Sequence, residues 1–190
     1  MTRTLKLLAP YFAVGVFWCL LSNAWLAIFA YHAQILFWSR HPLFGARRPS
    51  HAKMMLLALP AVLTGPLVYF FLCTIARTDL LSWLTEHHLS HLSLMAMIPY
   101  FGLIHPVLEQ VHWAALRDST PLAHPLFAGY HMLVLHSLLP LPWLILSFVV
   151  LTMASFAWQR MAKMTGNLAL PVASHALADL GVIIAAWLKT

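Results

Sequence analysis

The stretch TGNLALPVASHALADLG, residues 165–181, decides how the rest of the chain is read. It is apolar almost throughout, yet it places His175 and Asp179 four residues apart. That is about 400° of helical rotation, so both side chains leave one face of a helix a turn apart. Pro171 falls in the first turn, where a missing amide hydrogen costs little. An imidazole and a carboxylate on so apolar a helix call for a partner or a function.

Composition says where such a helix lives. The 190 residues are 62% hydrophobic and only 8% charged, which leaves too little polar surface to coat a soluble domain. The fold class expected is all-α, a polytopic transmembrane helical bundle. A net charge of +6 would suggest nucleic acid in a soluble chain, but here Arg and Lys sit at the ends of apolar runs, as the orientation signals of membrane proteins do. Membrane lipid is the partner expected, not nucleic acid. Cys19 and Cys73 lie in separate apolar runs without metal spacing and are expected to be buried free thiols. Arg3 and Lys6 precede an apolar run that continues to Trp38 without a small-residue cleavage pattern, so the run is expected to be retained as a membrane helix.

The apolar runs predict about six spans and a short interfacial helix. The first lies within Leu7 to Trp38, followed by a basic loop from Arg40 to Lys53 that holds Arg47 and Arg48. Then come Met54 to Ala76, kinked near Gly65 and Pro66, and Leu92 to Leu116, with Pro99, Gly102 and Pro106 inside it. Leu122 to Leu139, Trp143 to Trp158 and Leu168 to Leu188 complete the set. The short segment Leu80 to His91 fits an interfacial helix better than a crossing. Residues 1–190 form one integral-membrane domain, with the polar motifs between about 92 and 188. Six spans put Arg40, Arg47, Arg48, Lys53, Arg117, Arg160 and Lys163 on one side and Arg3, Lys6, Arg77 and Lys189 on the other, which favours both termini outside.

Depth selects the candidate site. Glu109 is about 12 Å below the connection at Arg117, His131 about 15 Å below Pro121, and His175 about 13 Å below Gly166, all measured from one side of the bundle. Three helices thus offer Glu, His and His in one layer, with Asp179 a turn deeper to orient His175. Glu109 and Asp179 are the acids inside spans, where a carboxylate must be paired, protonated or facing a watery cavity. His136 is about 140° round the helix from His131 and cannot share a ligand with it. His112 lies on the Glu109 face, in a stripe that begins with His105, and completes the candidate set. His87, His88 and His91 with Trp83 read as an amphipathic belt, and His32, His41, His51 and His124, near span ends, receive no role.

Arg160 to Gly181 also resembles the last motif of the CPBP family, the CAAX-protease and bacteriocin-processing intramembrane endopeptidases. That motif has a threonine-glycine entry to a helix, a proline and His-x-x-x-Asn/Asp, matched by Thr165, Gly166, Pro171, His175 and Asp179. Phe127 and His131 match the family's Phe-x-x-x-His, and the likeness covers about Pro106 to Leu188. The first motif departs from it: where the family commonly has Glu-Glu-x-x-x-Arg, this chain has Glu109, Gln110 and Ala114. Losing the second acid and the arginine together leaves no orphan buried charge.

The resemblance implies a metal-free intramembrane endopeptidase of the bacterial inner (plasma) membrane, acting on a membrane-associated polypeptide. Glu109 would be the general base on a water shared with His131, and His175, held by Asp179, would stabilise the oxyanion. No cofactor is expected, although one Glu and two His would also make a zinc set with an open fourth position. Other readings are a non-catalytic scaffold or immunity factor of the same fold, a di-iron or zinc membrane enzyme, and a proton-coupled transporter.

Overall fold

The computed structural model describes residues 2–38 and 59–190, so the basic loop, His41, His51 and the start of the second expected span lie outside the described residues. Within them the chain is all-α. Four helices are long and apolar enough to cross a membrane, or five if a pair bent by 94° counts as one span. Several helices of this kind in one chain mark an integral multi-pass membrane protein.

The run from Leu7 to Trp38 is not a single crossing. Helix α1, Thr2–Ala13, continues as a π-helix, Val14–Leu20, and the chain then turns back into α2, Ala24–Trp38. Ser22 takes a positive φ of 47°, and the Asn23 side chain accepts the Leu26 amide at 2.9 Å, starting the new helix. A Ser-Asn pair is a breaker even in an apolar run, because both side chains compete for backbone groups. Lys6 Nζ donates to the Trp38 carbonyl at 3.1 Å, which closes the hairpin at its open end.

Helix α3, Thr64–Ile75, leads to α4, Leu80–Glu86, capped by Asp79, whose carboxylate accepts the Ser82 amide at 2.8 Å. A continuous helical stretch follows, formed by α5, His91–Pro99, a π-helical turn, Tyr100–Ile104, and α6, His105–Ser119. The π turn sits just ahead of Pro106, whose ring would otherwise clash with the Gly102 carbonyl. Helices α7, Ala123–Leu135, α8, Leu141–Thr165, and α9, Ala169–Leu188, complete the bundle. Gly166 ends α8 in the left-handed region at φ 68°, and Asn167 caps α9 through the Ala169 amide at 3.0 Å.

Hydrogen bonds between helix ends fix the direction of every pass. Arg3 reaches the Ser119 carbonyl and Gln159 reaches the Arg117 carbonyl and Asp118, so the starts of α1 and the ends of α6 and α8 share one end of the bundle. The Ala24 amide bonds the His87 carbonyl, the Arg77 amide bonds the Leu138 carbonyl, and His91 meets Thr190. These define the opposite end. The chain travels alternately in α1, α2, α3, α5 with α6, α7, α8 and α9, and its termini lie at opposite ends, not together as the six-span count requires. Folding residues 7–38 into two passes is the cause.

Three further expectations are corrected. Arg117 is not a surface charge: it is 4% exposed and points into the bundle. Cys19 and Cys73 are free thiols but exposed on the outside of the bundle. His87 is buried, stacked on Trp18 at 4.1 Å, while His91 stacks on Trp187 and His88 takes a positive φ after α4; the three histidines do not form one belt.

Candidate functional site

Glu109, fully buried on α6, is the hub. Its Oε1 accepts a hydrogen bond from the Tyr31 hydroxyl of α2 at 2.7 Å and another from the Tyr130 hydroxyl of α7. The Tyr31 oxygen in turn accepts the Trp113 indole N–H at 2.7 Å, which leaves the phenolic hydrogen free to point at the carboxylate. Its Oε2 faces His105 Nε2 at 3.5 Å and His175 Nε2 at 3.6 Å. Neither approach is short enough to be a hydrogen bond.

His175 is held on every side. Trp158 stacks on its ring with centroids 4.3 Å apart, Phe127 meets it edge-on, and Asp179 Oδ2 lies 3.4 Å from Nε2. Gln110 Nε2 lies 3.1 Å from His175 Nδ1, and Gln110 Oε1 accepts from Arg117 at 2.8 Å. Since guanidinium can only donate, the glutamine oxygen must face Arg117 and its NH2 must face the imidazole. The amide therefore donates to Nδ1, and a neutral His175 carries its hydrogen on Nε2, between Glu109 and Asp179. The residue that sets the ring's tautomer is Gln110, whereas Asp179 shares the far nitrogen with Glu109.

One N–H cannot serve two carboxyl groups. Among the described residues, Glu109 Oε2 and Asp179 Oδ2 are buried without a hydrogen-bond partner. A pair of acceptors beside a donor in an apolar bundle is one donor short, and it suits a group that brings O–H or N–H hydrogens: a water, a peptide amide, or a proton on one carboxyl.

No family model matches this chain, and neither does any curated protein or solved structure. The reading of the site therefore rests on its geometry.

Of the residues selected by depth, Glu109, His175 and Asp179 come together. His131 joins them through Tyr130: its Nδ1 donates to the Phe127 carbonyl at 2.8 Å and its Nε2 lies 3.1 Å from the Tyr130 hydroxyl. His112 is turned to α1, where its Nε2 donates to the Lys6 carbonyl at 3.1 Å. Pro10 explains that bond, because a proline four residues on leaves the Lys6 carbonyl without its helical donor. His112 meets Tyr31 of the site edge-on. His136 is exposed and bonds its own helix at the Leu133 carbonyl.

Tyr31, Tyr130, Gln110 and Arg117 are neighbours of the site that spacing alone did not select. Arg117 is the most telling. It donates from Nε to Ser155 Oγ at 2.9 Å, and its guanidinium lies over the Phe127 and Trp158 rings at 5.4 and 5.6 Å. The Ser155 hydroxyl, used as an acceptor by Arg117, can donate onward to His124 Nδ1 at 3.0 Å. Among the described residues no group of three or more His, Cys, Asp or Glu side chains is arranged to hold a metal ion.

Proposed function

We propose that the chain is a CPBP-type intramembrane endopeptidase that hydrolyses a peptide bond with a water activated by Glu109. The observation that carries the reading is the orphan Glu109 Oε2, set 3.6 Å from His175 Nε2, the ring nitrogen that carries the hydrogen and that also faces Asp179 Oδ2 at 3.4 Å. A water donating to Oε2 gives its proton to Glu109 as its oxygen attacks the scissile carbonyl. His175 Nε2–H turns to the developing oxyanion, and Glu109 returns the proton to the amine as the C–N bond breaks. Tyr130 and Tyr31 keep the other carboxylate oxygen in place.

The altered first motif is compatible with this chemistry. Ala114 stands at the arginine position of the family motif, but Arg117 bonds Gln110 and Gln110 bonds His175, so His175 has polar support from a neutral amide. The substrate class is a membrane-associated polypeptide, with a prenylated C-terminus or a leader peptide as the forms to try first, and the site of action is the bacterial inner (plasma) membrane. The shorter helices α2 and α7 complete the transmembrane bundle beside the long ones, with α4 in the interface.

A second reading, a non-catalytic scaffold of the same fold, is favoured by the complete burial of Glu109 beneath Tyr31 and Tyr130. One experiment separates the two. Protein purified in detergent is expected to cut a prenylated or leader-type peptide, and Glu109→Ala and His175→Ala, still folded, are expected to lose about 10²- to 10⁴-fold in rate. Undiminished cleavage by Glu109→Ala would remove the protease reading.

A further inference from the structure

A row of polar groups runs from Glu109 away from the site, its first gap 3.5 Å and its outer two links hydrogen bonds. His105 Nε2 faces Glu109 Oε2 at 3.5 Å, His105 Nδ1 lies 2.9 Å from His32 Nε2, and His32 Nδ1 lies 2.7 Å from the Tyr100 hydroxyl. His32 and His105 are 3% and 5% exposed, whereas Tyr100 is only partly buried. Two histidines and a tyrosine thus connect a sealed carboxylate to the side of the bundle, over about 13 Å of helix.

The π turn makes the chain possible. Tyr100 and His105 are five residues apart, which on a regular α-helix puts them about 140° apart and out of reach of one imidazole. Here the His105 amide bonds the Tyr100 carbonyl, five residues back. The extra residue in the turn brings both side chains to the α2 face, where His32 lies between them. Phe101 stacks on His105 with centroids 4.8 Å apart and Phe29 meets Tyr100 edge-on, which holds the rings in place.

Two arrangements of the hydrogens satisfy both outer hydrogen bonds and place one hydrogen in the 3.5 Å gap between His105 Nε2 and Glu109 Oε2, a gap that must close to hydrogen-bond distance for transfer. In one, Tyr100 donates to His32 Nδ1, His32 Nε2–H donates to His105 Nδ1, and His105 Nε2–H faces the Glu109 carboxylate. In the other, Glu109 carries a proton directed at His105 Nε2, His105 Nδ1–H donates to His32 Nε2, and His32 Nδ1–H donates to the Tyr100 oxygen. Both keep each imidazole neutral. They interconvert by moving one hydrogen across each link, and the balance is one proton taken from Glu109 and one released from the Tyr100 hydroxyl.

We propose that Tyr100, His32 and His105 form a proton relay that exchanges the Glu109 proton with the outside of the bundle, assembled by the π-helical turn. It rests on the reading of Glu109 as a group that takes and returns a proton. The other groups facing Glu109 are Tyr31 from α2, Tyr130 from α7 and His175 from α9 with Asp179 behind it, while Arg117 lies further along α6. Tyr130 leads on to the partly buried His131, but His131 Nδ1 is held by the Phe127 carbonyl of its own helix, so among the described residues that branch ends on backbone.

The test follows the Glu109 carboxyl band by time-resolved infrared spectroscopy after a pH jump on the full chain in lipid nanodiscs, the band being assigned by its loss in Glu109→Gln. Tyr100→Phe removes one oxygen and keeps the ring between its aromatic neighbours, and His32→Phe interrupts the middle link. Both are expected to slow equilibration of the band at least about tenfold, and imidazole added to His32→Gly is expected to restore part of the rate. Equilibration as fast as in the wild type in both Phe variants overturns the relay, as does a wild-type protein with no Glu109 band. Peptide cleavage by Glu109→Gln, assayed on the same preparations, reports on the protease reading separately: a slowed band with cleavage retained keeps the relay and removes the protease.

Discussion

Gln110 has one amide and two neighbours that make opposite demands on it, a guanidinium that needs an acceptor and an imidazole nitrogen that receives a donor. Gln110→Glu exchanges that amide for two acceptor oxygens, so His175 must turn its hydrogen to Nδ1 or bind a second one. The nitrogen-15 spectrum of histidine-labelled protein is expected to move His175 from the Nε2–H form to one protonated at Nδ1, with peptide cleavage falling about tenfold or more. An unchanged His175 signal would show that Gln110 does not set the tautomer. This contact also marks how far the site was legible in the sequence. Depth along helices found Glu109, His175 and Asp179, because an acid in an apolar run is visible by its type alone. It assigned the orientation of His175 to Asp179, and the family resemblance put an arginine at the position of Ala114, because spacing along one helix says little about which side chain on a long stem bends back. Arg117 reaches Gln110 across two turns, and Tyr31 comes from a helix that sequence analysis merged into its neighbour.

At the scale of elements, the last helix is placed by a close approach of backbones. A Cβ added to Gly181 would lie 2.7 Å from Gly65 N, and one added to Gly65 would lie 2.9 Å from Gly181 Cα, so α3 and α9 touch where neither has a side chain. Close packing through small residues is what holds helices together in lipid, where apolar burial gives no net drive. Gly181→Ala is expected to lower the thermal midpoint in detergent, by a loss of about 1–3 kcal/mol from overpacking. Gly15→Ala is the control, since its Cβ would meet nothing within 4 Å, and the gain in helix propensity there is expected to leave stability unchanged or raised by up to about 1 kcal/mol. Equal effects at the two positions would discard the contact as a determinant of the fold. The boundaries of α8 and α9 were readable because Gly166, Asn167 and Pro171 act on the backbone beside them. The π turn was not, since Pro99, Gly102 and Pro106 announce a disturbance without saying whether the helix kinks or takes in an extra residue.

For the whole molecule, splitting residues 7–38 into α1 and α2 reverses the expected topology. Every pass from α3 onward changes direction relative to the N-terminus, so the start of the chain lies at the Ser119 end and Thr190 at the His91 end. The charges then separate more cleanly. Arg3, Lys6, Arg160 and Lys163 belong to the Ser119 end, and the sequence that follows α2, which ends there, carries Arg40, Arg47, Arg48 and Lys53. The His91 end has Arg77 and Lys189. By the bias of Lys and Arg to cytoplasmic connections, the Ser119 end is predicted to lie inside, with the N-terminus in the cytoplasm and the C-terminus outside. Single cysteines introduced into a background lacking Cys19 and Cys73 test this directly. In intact cells, His88→Cys and Thr190→Cys are expected to react with a membrane-impermeant maleimide, whereas Thr2→Cys and Asp118→Cys are expected to react only after the membrane is opened. Protection or labelling of Thr2→Cys and Thr190→Cys together would restore the even number of crossings and discard the α1–α2 hairpin, and with it the contacts of Tyr31 and His32 to the site.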